Sequence, residues 1–303
     1  MSNQNASTKS ILFALLANLG IAITKTVAAV LTGSGSMLAE AIHSYADCGN
    51  QLLLFFGLKQ SKRAPEENHP LGHGKEIYFW SFVVALMLFS MGGLFSIYEG
   101  IHKLSAQEEL KSPMIAIVVL AVSIVLEGAS LTGCIKQIHK VKKNGVSLWQ
   151  WTKETRKSEL VVVLGEDIAA IVGLTFALLA ITLAMITGNP VFDAIGSIGI
   201  GTLLVFMSLF IGFKVKGLLI GQSVDRDTRD EINNLLASLP EIEKVFNVIT
   251  LQMGEDIMVS VKAKMTETES AERLLMDVNK CEQALKASNQ AIDWVFFEPD
   301  ISD

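Results

Sequence analysis

Glu40, His43 and Asp47 stand three and four residues apart in AEAIHSYADCGNQ (residues 39–51), a stretch otherwise apolar enough to lie in a membrane. On a helix this spacing stacks the side chains along one face, and Asn50 or Gln51 extends the stripe by another turn. An ionisable side chain at the bilayer centre costs about 2.5 to 3.5 kcal/mol on insertion scales, so it persists where it faces other helices or a watery path. The chemistry on offer is metal coordination. His43 and Asp47, at i and i+4, can reach one divalent ion with an imidazole nitrogen and a carboxylate oxygen, both of which zinc accepts in a tetrahedral shell. Two ligands are too few, so a second helix must supply more. The run VVVLGEDIAAIVG (residues 161–173) holds Glu166 and Asp167 as its only acids. Neighbours on a helix point about 100° apart, so one can face the site while the other faces elsewhere.

Polar groups in membrane helices also serve simply to hydrogen-bond one helix to another, a role that suits Asn18 and Ser44 taken singly. Three ionisable groups at ligand spacing are a costly way to join helices, which favours a site of His43, Asp47 and Asp167. Glu40 and Glu99 fall near predicted helix ends within reach of water, and Glu127 is placed to line a cavity or pair with Lys25; structural roles are expected of all three. Outside the apolar runs, EENHPLGHGK (residues 66–75) offers Glu66, His69 and His73 as a second set of metal ligands, although solvated loop histidines are more often not ligands.

The elements that must position these residues are membrane helices. A span needs about 20 mostly apolar residues, and six windows qualify, at roughly 10–32, 36–57, 77–101, 113–135, 158–186 and 191–213. The loops after the second and fourth windows are basic (Lys59, Lys62, Arg63 and Lys75; Lys136, Lys140, Lys142, Lys143, Lys153, Arg156 and Lys157). The opposite loops offer only Lys103 and Lys111, so the positive-inside rule puts both termini in the cytoplasm. Beyond about residue 222 the composition turns soluble. TRDEINNLLASLP reads as an amphipathic helix stopped by Pro240, and residues 245–265 read as two strands joined around Gly254. In the second strand Val259, Val261, Ala263 and Met265 alternate with Ser260, Lys262 and Lys264, the period of a half-buried strand. A helix over about 268–288 and a strand AIDWVFF complete an αββαβ, ferredoxin-like module. The fold class expected is thus an all-α six-helix transmembrane domain, residues 1–222, followed by a small cytoplasmic α+β domain, residues 223–303, which is near the lower limit for folding alone and would gain from dimerisation.

Composition narrows the function. Half of the 303 residues are apolar and 18% are charged, and the mean hydropathy is +0.42, values that point to a membrane protein. The net charge of −6 gathers its excess acid late in the chain, which speaks against nucleic-acid binding. Cys48, Cys134 and Cys281 are far apart and form no CxxC pair, so no disulfide framework or zinc ribbon is suggested. The start of the chain runs into the first apolar window without a small-residue cleavage site, so that window is expected to stay.

In this order, six spans, His43-x-x-x-Asp47 on the second, HPLGHGK (residues 69–75), an acid on the fifth, GLLIGQSVD (residues 217–225) and a closing Phe297-Glu298-Pro299, the sequence resembles the cation diffusion facilitator family of divalent-metal exporters. Glu166-Asp167-x-Ala169-Ala170 together with Asn50-Gln51 is most similar to the branch containing the ninth vertebrate zinc transporter and its bacterial relatives. The resemblance implies a transport site between the second and fifth spans with His43 and Asp47 as ligands and Asp167 as the closing aspartate. The family's earlier ligand position on the fifth span is Val163 here, leaving Glu166, water or a neighbouring polar group as the fourth ligand. It further implies a possible zinc at Glu66, His69 and His73, and an ion pair of Lys75 with Asp225 bracing a membrane homodimer. All five histidines precede the C-terminal domain, so the resemblance predicts that this domain dimerises and senses metal weakly or not at all.

The expected activity is therefore proton-coupled efflux of a divalent metal, zinc foremost, by alternating access. The chain is read as a secondary transporter and not an enzyme, in a bacterial inner membrane because the loop between spans four and five lacks a histidine-rich insert. Four rivals stay open: a transporter for manganese, iron, cobalt or nickel; a non-transporting membrane metal-binding scaffold, with Val163 marking a lost ligand; a channel; and an intramembrane enzyme, ranked last because no GxSxG or HExxH motif is present.

Overall fold

The computed structural model describes residues 18–106, 110–142 and 145–302. Residues 10–17 of the expected first span, and Lys143 of the basic loop, lie outside the described residues. The chain divides into two compact units. Of the described residues, one unit comprises those up to Gly57 and those of Trp80–Val146 and Glu159–Lys214; the other comprises Leu58–Phe79, Ser147–Ser158 and those from Val215 onward.

The first unit is a helical bundle built from α1 (Asn18–Thr32) and α2 (Gly35–Ser61), α3 (Glu76–Met87), α4 (Phe95–Ala106), α5 (Pro113–Val141), α7 (Ser158–Thr187) and α8 (Val191–Ile220), several of which run on into the other unit; α6 (Leu148–Glu154) is short and belongs to the second unit. A π-helical stretch, Leu88–Leu94, joins α3 to α4 so that Glu76–Ser105 is one continuous rod. Among the described residues, four helices are long and apolar enough to cross a membrane: Glu76–Ser105, Pro113–Val141, Ser158–Thr187 and Val191–Ile220. α2 has 27 residues, about 40 Å at 1.5 Å per residue, which exceeds a hydrocarbon core of about 30 Å. Its polar stripe is what lowers its hydropathy. The molecule is an integral membrane protein with a small α+β module at its C-terminal end.

Two devices fix the bundle around α2, the helix that carries His43 and Asp47. The first is a cap from another helix. Asp193, in the first turn of α8 and 2% exposed, accepts hydrogen bonds from the backbone N–H of Gly35 (2.7 Å) and Ser36 (3.3 Å) and from the Ser34 hydroxyl (2.7 Å). A carboxylate there satisfies free N–H donors and suits the positive end of the helix dipole. The second is close packing of small residues. A Cβ on Gly201 of α8 would stand 2.6 Å from the carbonyl oxygen of Gly93, and one on Gly100 of α4 would stand 2.8 Å from that of Ala194, so these helices touch backbone to backbone. Met37, Ala39, Leu120, Ala169, Leu174 and Ile200 pack the bundle core.

In the second unit, α9 (Arg226–Ser238), β1 (Ile242–Met253), β2 (Asp256–Met265), α10 (Ala271–Ser288) and β3 (Ile292–Pro299) follow the αββαβ order. β2 is central, antiparallel to β1 and parallel to β3. Its burial alternates as the sequence pattern predicts, with Ile257, Val259, Val261, Ala263 and Met265 inward, against Ile232, Leu236 and Leu285 of the two helices. Cys281 of α10 is fully buried beside Met265 and Val278, where it fills the core. The loop preceding α3 is seated on the β1–β2 turn. A Cβ on Gly74 would lie 1.9 Å from the Met253 carbonyl oxygen, and the Tyr78 hydroxyl accepts from the Gly254 N–H (3.1 Å) and faces its carbonyl oxygen (3.3 Å).

Candidate metal site

α1, α2, α5 and α7 enclose a polar cavity of about 50 Å³, room for an ion with one or two waters. Asp47 and Gln51 reach it from α2, Glu127 and Ser130 from α5, and Glu166 and Asp167 from α7, with Val163 completing the wall. Both adjacent acids of α7 line it, although a single one was expected to face inward.

Glu166 and Asp167 are each held by one hydrogen bond from a different helix. The Asn50 amide donates to Glu166 Oε1 (2.7 Å), and the Ser130 hydroxyl donates to Asp167 Oδ1 (3.1 Å). Other atoms have no hydrogen-bond partner: Asp47 Oδ1, Asp167 Oδ2 and both ring nitrogens of His43 are buried and unpaired. Leaving a buried polar atom unpaired costs about 1 to 3 kcal/mol, more for a charge, so such a group of orphans needs water, a proton or a cation.

His43 is 1% exposed, with Nδ1 3.6 Å from Asp47 Oδ1, too far for a hydrogen bond. It is not among the residues lining the cavity. The ligand atoms of His43, Asp47 and Asp167 do not draw together within 4.8 Å; among the described residues, only Glu66, His69 and His73 do so. In that loop, Glu66 Oε1 lies 3.1 Å from His69 Nδ1 and 3.1 Å from His73 Nε2, with Arg63 Nη2 at 3.6 Å. The hydrogen bonds from His69 and His73 hold the Glu66 carboxyl below the usual carboxylate range.

Behind the cavity lies a buried ion pair that the sequence spacing did not reveal. Lys25 of α1 is fully buried, with its Nζ 3.2 Å from Glu40 Oε2 and 2.8 Å from Ser44 Oγ. Lys25 thus pairs with Glu40 and not with Glu127. Glu40 is not at a wetted helix end; it is fully buried, because α7 passes so close that a Cβ on Gly173 would stand 2.6 Å from Glu40 Oε1. The expected pair of Lys75 and Asp225 is also absent among the described residues. Asp225 instead caps α9, accepting from the N–H (3.1 Å) and hydroxyl (2.9 Å) of Thr228.

The model of one protein family, described as the cation efflux transmembrane domain, matches residues 11–220. The chain belongs to the cation efflux family. Over 231 residues it is 39% identical to a Xenopus laevis protein named proton-coupled zinc antiporter SLC30A9, mitochondrial, covering 76% of this chain and 41% of that one. It is 32% identical over 217 residues to metal tolerance protein C4 of Arabidopsis thaliana, covering 71% and 48%. To the cation-efflux pump FieF of Escherichia fergusonii it is 24% identical over 254 residues, covering 84% and 79%. The chain thus spans about two fifths of the length of the SLC30A9 relatives. The resemblance drawn from the sequence motifs is borne out at the level of the family.

Proposed function

We propose that the chain exports divalent cations, zinc foremost, from the cytoplasm in exchange for protons, by alternating access in a homodimer. The observation that carries this reading is the cavity itself: carboxylates from three helices converge on about 50 Å³, and Asp47 and Asp167 each present an unpartnered oxygen. Asp47 and Asp167 hold the ion, His43 joins when the helices close, and Glu166 stands by as a further ligand. Imidazole and carboxylate ligands must shed protons before they bind a metal. An incoming proton therefore competes with the outgoing ion for the same atoms, which is the physical basis of antiport. Residues 1–222 form the transport domain and residues 223–303 the cytoplasmic dimerisation domain, with both termini cytoplasmic by the charge of the loops, in a bacterial inner membrane. Glu66, His69 and His73 form an accessory zinc site.

One observation favours a second reading, in which manganese or iron replaces zinc. The ionisable side chains that face the cavity are all carboxylates, and oxygen donors suit harder cations than zinc. Both readings are tested in proteoliposomes loaded with a pH-sensitive dye, to which zinc and then manganese is added. The expected result is proton movement on adding metal that is absent in Asp47→Ala, the larger response naming the cation. Undiminished movement in Asp47→Ala would overturn the site, and no response to either metal from folded protein would overturn transport.

A further inference from the structure

We infer that α5 is a third ligand-bearing helix, and that Glu127 coordinates the cation from the side on which Val163 offers no ligand. The inference rests on the transport reading above and specifies one more residue of that site. α5 carries Ser123, Glu127, Ser130 and Cys134 at steps of four, three and four, a polar stripe along the apolar part of the helix, which has one other polar residue, Thr132, before Lys136. The other faces are greasy and open, with Val122 55%, Val125 72% and Leu126 45% exposed, as befits a helix in lipid. The stripe faces α7. Ser130 bonds Asp167, and both Glu127 and Ser130 line the cavity. Residues three apart on a helix have Cβ atoms about 5 to 6 Å apart, so Glu127 projects beside the same Asp167 carboxylate.

Glu127 makes no hydrogen bond or ion pair among the described residues, and Lys25, the cation it could have used, is committed to Glu40. A carboxylate without a partner inside a membrane is costly to keep. The cavity also holds an orphan aimed into it: Asp167 is 8% exposed, and its Oδ2 has no partner. Glu166 is the less available candidate, because Asn50 already occupies one of its oxygens at 2.7 Å. Val163, one turn before Asp167, lines the cavity with a side chain that cannot coordinate. Glu127 supplies the missing oxygen from another helix.

The test uses the full chain carrying His69→Ala and His73→Ala to silence the loop histidines, with zinc binding followed by calorimetry. Glu127→Gln keeps the shape and removes the charge; it is expected to weaken zinc binding by at least about tenfold, the lower bound even for residues that only support ligands. Glu127→Cys, made together with Cys48→Ala and Cys134→Ala so that no native thiol stands beside the cavity, adds a readout that a structural role would not move, namely a sulfur-to-cadmium charge-transfer absorption on adding cadmium that the same cysteine-to-alanine protein with Glu127 intact lacks. Parent-like zinc affinity in Glu127→Gln, alongside loss in Asp167→Ala, would overturn the inference and leave the transport site intact. Parent-like affinity in both would overturn the transport site as well. Weakened zinc binding with no cadmium band would make Glu127 a buttress and also overturn the inference. A band in Glu127→Cys supports it even if Glu127→Gln does not fold.

Discussion

Replacing Lys25 with methionine removes one member of the buried pair and keeps its volume, so the cost reads the lost charge and the hydrogen bonds it makes to Glu40 and Ser44 rather than a cavity. At 3.2 Å and an effective dielectric of about 20, the Coulomb attraction between unit charges is roughly 5 kcal/mol. The desolvation of both groups offsets part of this in the intact pair, but in the single variant Glu40 stays buried with its partner gone. Removing one partner of a buried pair typically costs about 3 to 5 kcal/mol, while replacing both is often near neutral. The prediction is therefore non-additive: Lys25→Met and Glu40→Gln each destabilise by about 3 to 5 kcal/mol, and the double variant by much less than their sum. Reversible unfolding in mixed detergent micelles, followed by circular dichroism, measures all four proteins of the cycle. A loss below about 1 kcal/mol in Lys25→Met, or a double variant equal to the sum of the singles, would refute a coupled buried pair.

Gly74→Ala should destabilise the C-terminal unit by about 1 to 3 kcal/mol, because its Cβ would stand 1.9 Å from the Met253 carbonyl oxygen; proteolysis of the Gly74 loop would be correspondingly faster than in the wild type. Burial pushes the Cys281 thiol up to about 11, and it is fully buried, so iodoacetamide at neutral pH should label it only after unfolding. The Glu66 carboxyl is held below its ordinary value of 4.5, so its contribution to loop order is complete above that pH and is lost as pH falls through the lowered pKa. Amide exchange around Glu66–His73 should accordingly stay slow down to about pH 5 and rise below the ordinary carboxylate range; exchange that quickens well above that range would contradict the Glu66 hydrogen bonds.

Much of the architecture is written locally. The apolar windows at 77–101, 113–135, 158–186 and 191–213 reappear as helices of 29 or 30 residues, longer because helices run on past the apolar core. The period-two burial of β2 and the turn at Gly254 follow equally directly from residue order. The polar stripe of α2 was legible because its spacing matches the helix period. Features that depend on two distant helices were not. Asp193 caps α2 from α8, Ser130 reaches Asp167 from α5, and Lys25 selects Glu40 over Glu127; each depends on which helices become neighbours, which no local pattern encodes. The i, i+4 rule put His43 and Asp47 on one face, yet a face is wider than a cavity, and His43 stands back from the opening that Asp47 lines. The helical stripe on α5 was present in the sequence, and only its residue spacing could have marked Glu127 and Ser130 as a pair.

The central claim is that the carboxylates around the cavity carry the cation across the membrane. Zinc uptake into proteoliposomes, compared between wild type and Asp167→Ala at equal folded protein, tests it most directly. The account predicts zinc accumulation by the wild type and leak-level uptake in the variant, and zinc moved by Asp167→Ala at the wild-type rate would contradict it.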